Sequence, residues 1–312
     1  MDIKENTQLA PYTTYQIGGP ARYLYEAKSV EEISEAVSWA REQGMPLFIL
    51  GGGSNILVSD KGFDGLVVRI KNQELRIKNG NVIESGAGID LPKLVELAVN
   101  GGLKGLEWAS GIPGTFGGAI YGNAGAFGSE IKDILVSCRF IDEVGKIREF
   151  RNKDCTFLYR DSIFKQNPNY TILSATLQLE PGNKKELQDF SRKTIEYRAA
   201  RHPLEYGSCG SVFKAIAVQN ISDEIFAKFS RFKNSIKEDP FPVVPAACFI
   251  DEADLKGYVL GGAAISTKHP NFFVNFNNAR AEDVILLISI AKQRLVDRFG
   301  IMAEEEVQLV GF

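Results

Sequence analysis

A chain of 312 residues, 44% hydrophobic and 24% charged, is long enough to bury two or three cores and has an ordinary soluble globular composition. Its net charge of -3 and pI near 5.7 exclude the broad positive field that nucleic acid or an anionic membrane surface would require. No apolar stretch is long enough to span a bilayer, and the opening MDIKENTQLAP has no charged-then-apolar signal, so the chain is expected in the cytosol.

Cys138, Cys155, Cys209 and Cys248 lie far apart with no CxxC, which argues for reduced thiols over a zinc site or a disulfide framework. The two histidines, His202 and His269, lack metal-ligand spacing, so no metal is expected.

Along the chain, residues 13–19 read TTYQIGG, and Gly18-Gly19-Pro20 marks a tight turn before a strand at 23–25. Ser29 and Glu32 have the spacing of a capping box, Ile33, Ala36, Val37 and Ala40 recur at helical spacing, and Gly44 ends the helix. An apolar run at 47–50 then breaks into LGGGSNILVS, 50–59, which organises the first part of the chain. Glycines after a buried strand gather bare N–H groups that a diphosphate can approach closely; the competing reading is a glycine-rich turn. No Lys follows at P-loop spacing, and 54–58 reads as a strand where a dinucleotide Rossmann motif would open a helix. The stretch is therefore a strand-to-strand cradle, and this small α+β domain closes near Ile70.

A hairpin is predicted at 75–84 through Asn79-Gly80, then a helix capped by Asp90 with an apolar face of Leu91, Leu94, Val95 and Ala98. Residues 110–128, SGIPGTFGGAIYGNAGAFG, form a second glycine concentration. A flexible linker is the alternative, but Ile112, Phe116, Ile120, Tyr121 and Phe127 imply a packed segment. Strands are predicted at 135–142, 146–151 and 171–179, with CTFLYRDSIFK between the last two. A helix over 185–200 leads to His202-Pro203, read as a domain junction. SCGSVFK at 208–214 opens a third unit, whose last helix carries Val284, Leu287, Ile288, Ala291 and Leu295 and ends near Gly300 before a strand at 307–310.

TTYQIGGPA, LGGGSNILV, SGIPGTFGGAIYGNAGAFGSEI, YRDSIFK, GSCGSVFK, LGGAAIS with KHPNFFVN, and EEEVQLVG occur in that order. Together they resemble the UDP-N-acetylenolpyruvoylglucosamine reductase family of peptidoglycan synthesis, in its short form, from Asn6 to Gly311. The resemblance implies an α+β protein with a two-part FAD-binding domain of the vanillyl-alcohol oxidase type, 1–70 and 71–206 (completed by 300–312), plus a C-terminal α+β substrate-binding domain, 207–299. It implies FAD held non-covalently, NADPH as co-substrate, a UDP-sugar substrate and a monomer.

Onto Gly51, Gly52, Gly53, Ser54 and Asn55, followed by Ile56 and Leu57, the resemblance carries the FAD diphosphate cradle. Onto Gly18, Gly19, Gly111, Gly114, Gly118, Asn123 and Ala124 it carries walls for the adenosine and isoalloxazine, with Tyr15, Ile17, Ser110, Pro113, Gly117 and Gly125 in the same stretches. Its reaction adds hydride to a vinyl carbon conjugated to a carboxylate, which calls for a fixed cation and a proton donor. Arg160 is the implied cation, although Tyr-Arg-Asp alone also suits an Arg paired with Asp161. Ser211 is the implied proton donor, with Cys209 as its chemical rival, and Glu306 the implied acid that steadies developing charge by donating a hydrogen bond, with Glu305 one place away. Tyr159 and Lys214 are implied to line the substrate site, Lys214 toward phosphates or nicotinamide.

The sequence departs from the family in three places. Ala215-Ile216 stand where some relatives have Asn-Pro, Asp254 stands where Gly is common, and 165–201 is too short for the Tyr-bearing loop of the longer form. The rival readings are an FAD-dependent oxidase or dehydrogenase of a sugar or hydroxy acid, and a catalytically dead nucleotide-binding protein.

Overall fold

The buried apolar side chains sort into two large clusters, and each belongs to its own unit of the chain. The computed structural model describes residues 1–239 and 241–312. One unit comprises Met1–Thr7, Ala21–Gly52 and Asp64–Arg198; the other comprises Gln8–Pro20, Gly53–Phe63 and Ala199–Phe312. The first seventy residues are thus divided between the two units.

In the first unit, helix Val30–Glu42 buries Ile33, Ala36, Val37 and Ala40 completely, as its periodicity predicts. Ser29 Oγ accepts from the N–H of Glu32 at 3.2 Å, while the Glu32 carboxylate reaches back to the N–H of Lys28 at 2.6 Å, one residue beyond the expected partner. The helix lies beside a four-stranded sheet of order Lys4–Gln8, Pro20–Ala27, Phe63–Ile70, Leu47–Leu50, in which the last two strands run parallel. A five-stranded sheet follows in the order Ile147–Arg151, Leu135–Ile141, Thr171–Gln178, Val82–Gly86, Leu75–Lys78. The predicted hairpin closes through Asn79 and Gly80, both at positive φ, the geometry that selects Asn-Gly. Helix Leu91–Asn100 buries the predicted face, but Asp90 makes no capping hydrogen bond; its carboxylate sits 3.4 Å from Lys93 Nζ instead. Inside the glycine-rich stretch, Phe116–Tyr121 is a short helix with Phe116 and Ile120 fully buried, so the segment is packed.

In the second unit, Val259–Leu260, Ala263–Ile265 and Phe273–Asn275 form an antiparallel sheet. Helix Ala281–Phe299 buries Val284, Leu287, Ile288, Ala291 and Leu295 and stops at Gly300, φ +66. Phe229, Phe232, Phe249 and Phe299 pack as a ring cluster at its end, with centroids 4.1 to 5.6 Å apart. Asp254 takes a left-handed conformation, φ +57, which explains the glycine of relatives; its carboxylate accepts from Arg298 Nη1 at 2.7 Å. The closing strand, Gln308–Val310, pairs in parallel with Ile56–Val58, the strand that follows the triple glycine.

Helix Ala281–Phe299 is capped from a distance. Asp60 Oδ1 accepts from the N–H of Ala281 at 3.0 Å and Oδ2 from Glu282 at 3.2 Å, placing a carboxylate on the helix N-terminus. Asp60→Ala is expected to lower stability by about 1–2 kcal/mol, read as a shift of the denaturation midpoint. Asp60→Asn should recover part of the loss, since its amide oxygen still accepts.

Candidate functional site

The two glycine concentrations meet. A Cβ on Gly51 would stand 2.5 Å from Thr115 Oγ1, and one on Gly52 would stand 2.5 Å from the Gly114 Cα. Both approaches exclude a side chain, so Gly52 lies directly against the Gly114 main chain and Gly51 against the Thr115 hydroxyl. Gly111, Pro113 and Gly118 are exposed on this segment. Gly117 faces inward, where a Cβ would lie 2.8 Å from that of Ala87. Gly118 differs, because only Thr115 Oγ1, at 3.4 Å, approaches its Cβ position. A helical glycine that no neighbour requires is disfavoured by roughly 1 kcal/mol relative to Ala, so the bare face it leaves points to a ligand. A flat ring or a diphosphate fits such a surface.

Asn123 has a different task from the wall expected of it. Its side chain is completely buried and its Nδ2 donates to Glu130 Oε2 at 3.1 Å and to the Leu158 carbonyl at 3.0 Å, while Oδ1 accepts from the Lys132 N–H at 3.1 Å. That clamp fixes the turn carrying Tyr159 and Arg160, closed by reciprocal Leu158–Asp161 hydrogen bonds of 3.1 and 3.2 Å. Arg160 sits at φ +56, a strained conformation for a side chain of its size, and Lys165 Nζ donates to its carbonyl at 3.0 Å. Its Nη2 donates to the Gly125 carbonyl at 2.7 Å, and its guanidinium lies 5.1 Å from the Tyr159 ring centre. Asp161 turns its carboxylate to the Ser162 N–H and to Gln166 Nε2.

In the second unit, residues 211–214 lie between two chain segments. On one side Ser211 pairs with Phe272, Val212 N–H donates to the Asn271 carbonyl at 2.8 Å, and the Asn271 side chain bonds both N–H and carbonyl of Phe213. On the other, Glu306 N–H donates to the Val212 carbonyl at 2.8 Å and Lys214 N–H to the Glu304 carbonyl at 2.9 Å. Ser211 and Glu306 therefore come from neighbouring extended segments. Asn55 joins them: its Nδ2 donates to the Glu306 carbonyl at 3.1 Å, and its own carbonyl accepts from Gln308. Of the three glutamates, Glu304 pairs with Lys214 and Glu305 with Lys292, and both Glu305 and Glu306 lie on the segment beside Val212 and Phe213. Lys214, expected toward phosphates or nicotinamide, has a side chain only 15% exposed and pairs with Glu304.

Gly53, at φ +64, has the Tyr12 carbonyl oxygen 2.1 Å from its Cβ position. Gly18 abuts Val58 and Gly19 the Asp60 carbonyl, so both allow close chain packing. Tyr15 is fully buried and its hydroxyl donates to the Phe273 carbonyl at 2.6 Å, so its ring is core. Ile17 and Leu57 are buried in the same cluster. Thr14 Oγ1 donates to the Ser208 carbonyl at 2.7 Å, tying the TTYQIGG stretch to GSCGS. Cys209 is buried; desolvation, reinforced by the charge of Glu306, pushes its thiol far up, so it is no rival nucleophile. Asn271 and Glu130 were not anticipated, since a buried Asn or Glu reads in a sequence as an ordinary turn residue.

The family model "FAD binding domain" matches residues 21–151, and the model "UDP-N-acetylenolpyruvoylglucosamine reductase, C-terminal domain" matches 202–310. A UDP-N-acetylenolpyruvoylglucosamine reductase from Prochlorococcus marinus is 36% identical over 312 residues, covering 99% of this chain and 98% of its own. One from Carboxydothermus hydrogenoformans is 38% identical over 310 residues, covering 99% and 94%. The crystal structure of the Thermus caldophilus reductase, MurB, superposes with a TM-score of 0.76 at 29% identity, covering 99% and 98% of the two chains.

The two histidines stack edge to face, 5.6 Å apart, and both lie 4.8 Å from Phe272, the partner of Ser211. Burial, aided by the charges of Lys237 and Arg201, holds His269 down at about 4. An unfolded histidine, near 6.5, takes up its proton first, so the stability present above that pH falls as the pH drops toward 4. His269→Phe is expected to flatten that decline by up to about 3 kcal/mol, measured as urea midpoints from pH 7 to 4.5.

Proposed function

The chain belongs to the UDP-N-acetylenolpyruvoylglucosamine reductase family, and on that premise we propose how its residues divide the work. It is an FAD-dependent oxidoreductase that uses NADPH to reduce the enolpyruvyl ether of UDP-N-acetylglucosamine to UDP-N-acetylmuramate, a step of peptidoglycan precursor synthesis. FAD, when held there, would supply the hydride chemistry that links NADPH to the terminal vinyl carbon.

Gly51 and Gly52, with Gly114 packed against them and Gly111, Pro113 and Gly118 open beside them, would hold the cofactor through bare main chain. Gly53, Ser54 and Asn55 continue that stretch. No His or Cys stands in 50–59 to bond a flavin, which supports non-covalent binding. Arg160 is assigned the substrate carboxylate: its fork is rigid, always charged and oriented by the Gly125 carbonyl. Ser211 Oγ gives its proton to the carbon that carries the ether oxygen, completing the addition of hydride and proton across the double bond. Glu306 steadies the charge that builds on the carboxylate side as that proton moves. Tyr159, stacked on Arg160, would flank the same carboxylate. The observation that carries this reading is the hydrogen bond between Glu306 N–H and the Val212 carbonyl, which supports serine and acid acting on one small molecule. Among the described residues no helix is long and apolar enough to cross a membrane; a cytosolic monomer that binds no nucleic acid is proposed from the family and the acidic composition.

Ser211→Ala is expected to leave flavin bleaching by NADPH at its normal rate and to slow reoxidation by the enolpyruvyl sugar by about 10²- to 10⁴-fold, in separate stopped-flow half-reactions. Equal loss in both would remove Ser211 from the donor role. Gly118→Ala is expected to keep or slightly raise the melting temperature while weakening FAD by roughly tenfold or more, a combination that separates a ligand-facing glycine from a packing one.

A further inference from the structure

Arg198 stands near the end of helix Lys184–Arg201, which buries only Leu187 and Thr194. Its side chain crosses the start of the second glycine stretch. Nε donates to the Ser110 carbonyl at 3.0 Å, and Cδ lies 3.0 Å from where a Cβ on Gly111 would stand. Gly111 is exposed and at φ +78, so only glycine allows this crossing. Nη2 is buried and makes no hydrogen bond among the described residues. Burial pulls the guanidinium down from its ordinary value.

A desolvated cationic donor without a partner costs more than a neutral one, and a fold keeps it where an anion completes it. Phe127 adds a second unexplained feature at the same place. Its ring, 5.7 Å from the guanidinium, is 52% exposed although its backbone is held at φ +54. Phe190 and Tyr197 meet that ring edge to face and are themselves open to solvent. An orphaned guanidinium nitrogen beside an exposed aromatic shelf matches the two halves of a nucleotide, phosphate and base.

We propose that Arg198 is a phosphate-binding residue, its Nη2 taking an oxygen of a nucleoside diphosphate that lies along Ser110 and Gly111. This rests on the function proposed above, in which FAD and the UDP-sugar each carry such a group. The guanidinium of Arg160 is held separately, by the Gly125 carbonyl, so the two cations serve different anions.

The test strips wild-type, Arg198→Met and Arg198→Lys protein of flavin and titrates each with FAD and with riboflavin, which has no phosphate, following quenching of flavin fluorescence. Each holoenzyme is also titrated with UDP through the perturbation of its visible flavin band. Arg198→Met is expected to weaken FAD by about ten- to a hundredfold and leave riboflavin within twofold, with Arg198→Lys between. A comparable loss for UDP at unchanged FAD affinity also upholds the phosphate role and names the sugar nucleotide as its source. Unchanged affinity for both, or equal losses for FAD and riboflavin, overturns it. Wild-type protein that takes up no FAD would sink the cofactor reading as well, whereas normal wild-type uptake with an indifferent variant sinks this inference alone.

Discussion

The contact on which the first unit depends is the approach of Gly51 and Gly52 to Gly114 and Thr115. Gly52 meets the Gly114 main chain and Gly51 the Thr115 hydroxyl at distances that no Cβ tolerates, and the glycines leave that junction with little side-chain cover. The surrounding elements serve this junction. The parallel strand Leu47–Leu50 delivers the first glycine, the buried side chains of Phe116 and Ile120 anchor the second stretch, and Ala87 receives Gly117. A surface made of peptide groups alone offers hydrogen-bond donors and flatness together, which a dinucleotide with a planar ring uses at its two ends.

The second unit solves a different problem, that of presenting a weakly acidic hydroxyl in a fixed position. Segment 211–214 is too short to be a stable strand alone, yet it is bonded on both edges. Asn271 supplies the bonds that a regular strand partner would, and the terminal segment supplies the rest. Lysines pair with the two preceding glutamates, Glu304 with Lys214 and Glu305 with Lys292, which ties the acidic run to the fold.

Much of this was legible in the sequence because its signals are local. Helix Val30–Glu42, the Asn79-Gly80 hairpin and the stop at Gly300 follow from spacing and from the backbone freedom of one or two residues. The glycine stretches announced themselves by density. What escaped was every polar interaction made between distant segments. Asp60 caps a helix that begins 221 residues later, Asn123 clamps the turn before Arg160, and Arg198 lies across Gly111. A single Asp, Asn or Arg carries no mark of its partner, and spacing assigned the cap of helix Leu91–Asn100 to the nearby Asp90 for that reason. The ion pair of Lys214 with Glu304, ninety residues away, was equally hidden.

The cysteines bear on how such a protein endures its own chemistry. A reduced flavin that meets dioxygen yields peroxide, and peroxide attacks thiolates in preference to thiols. Burial drives Cys138 and Cys209 far up and holds Cys155 at about 12, so each stays protonated at any pH the cell offers. The thiol beside Glu306 is thus shielded from oxidative damage by the same dry packing that seats the serine next to it.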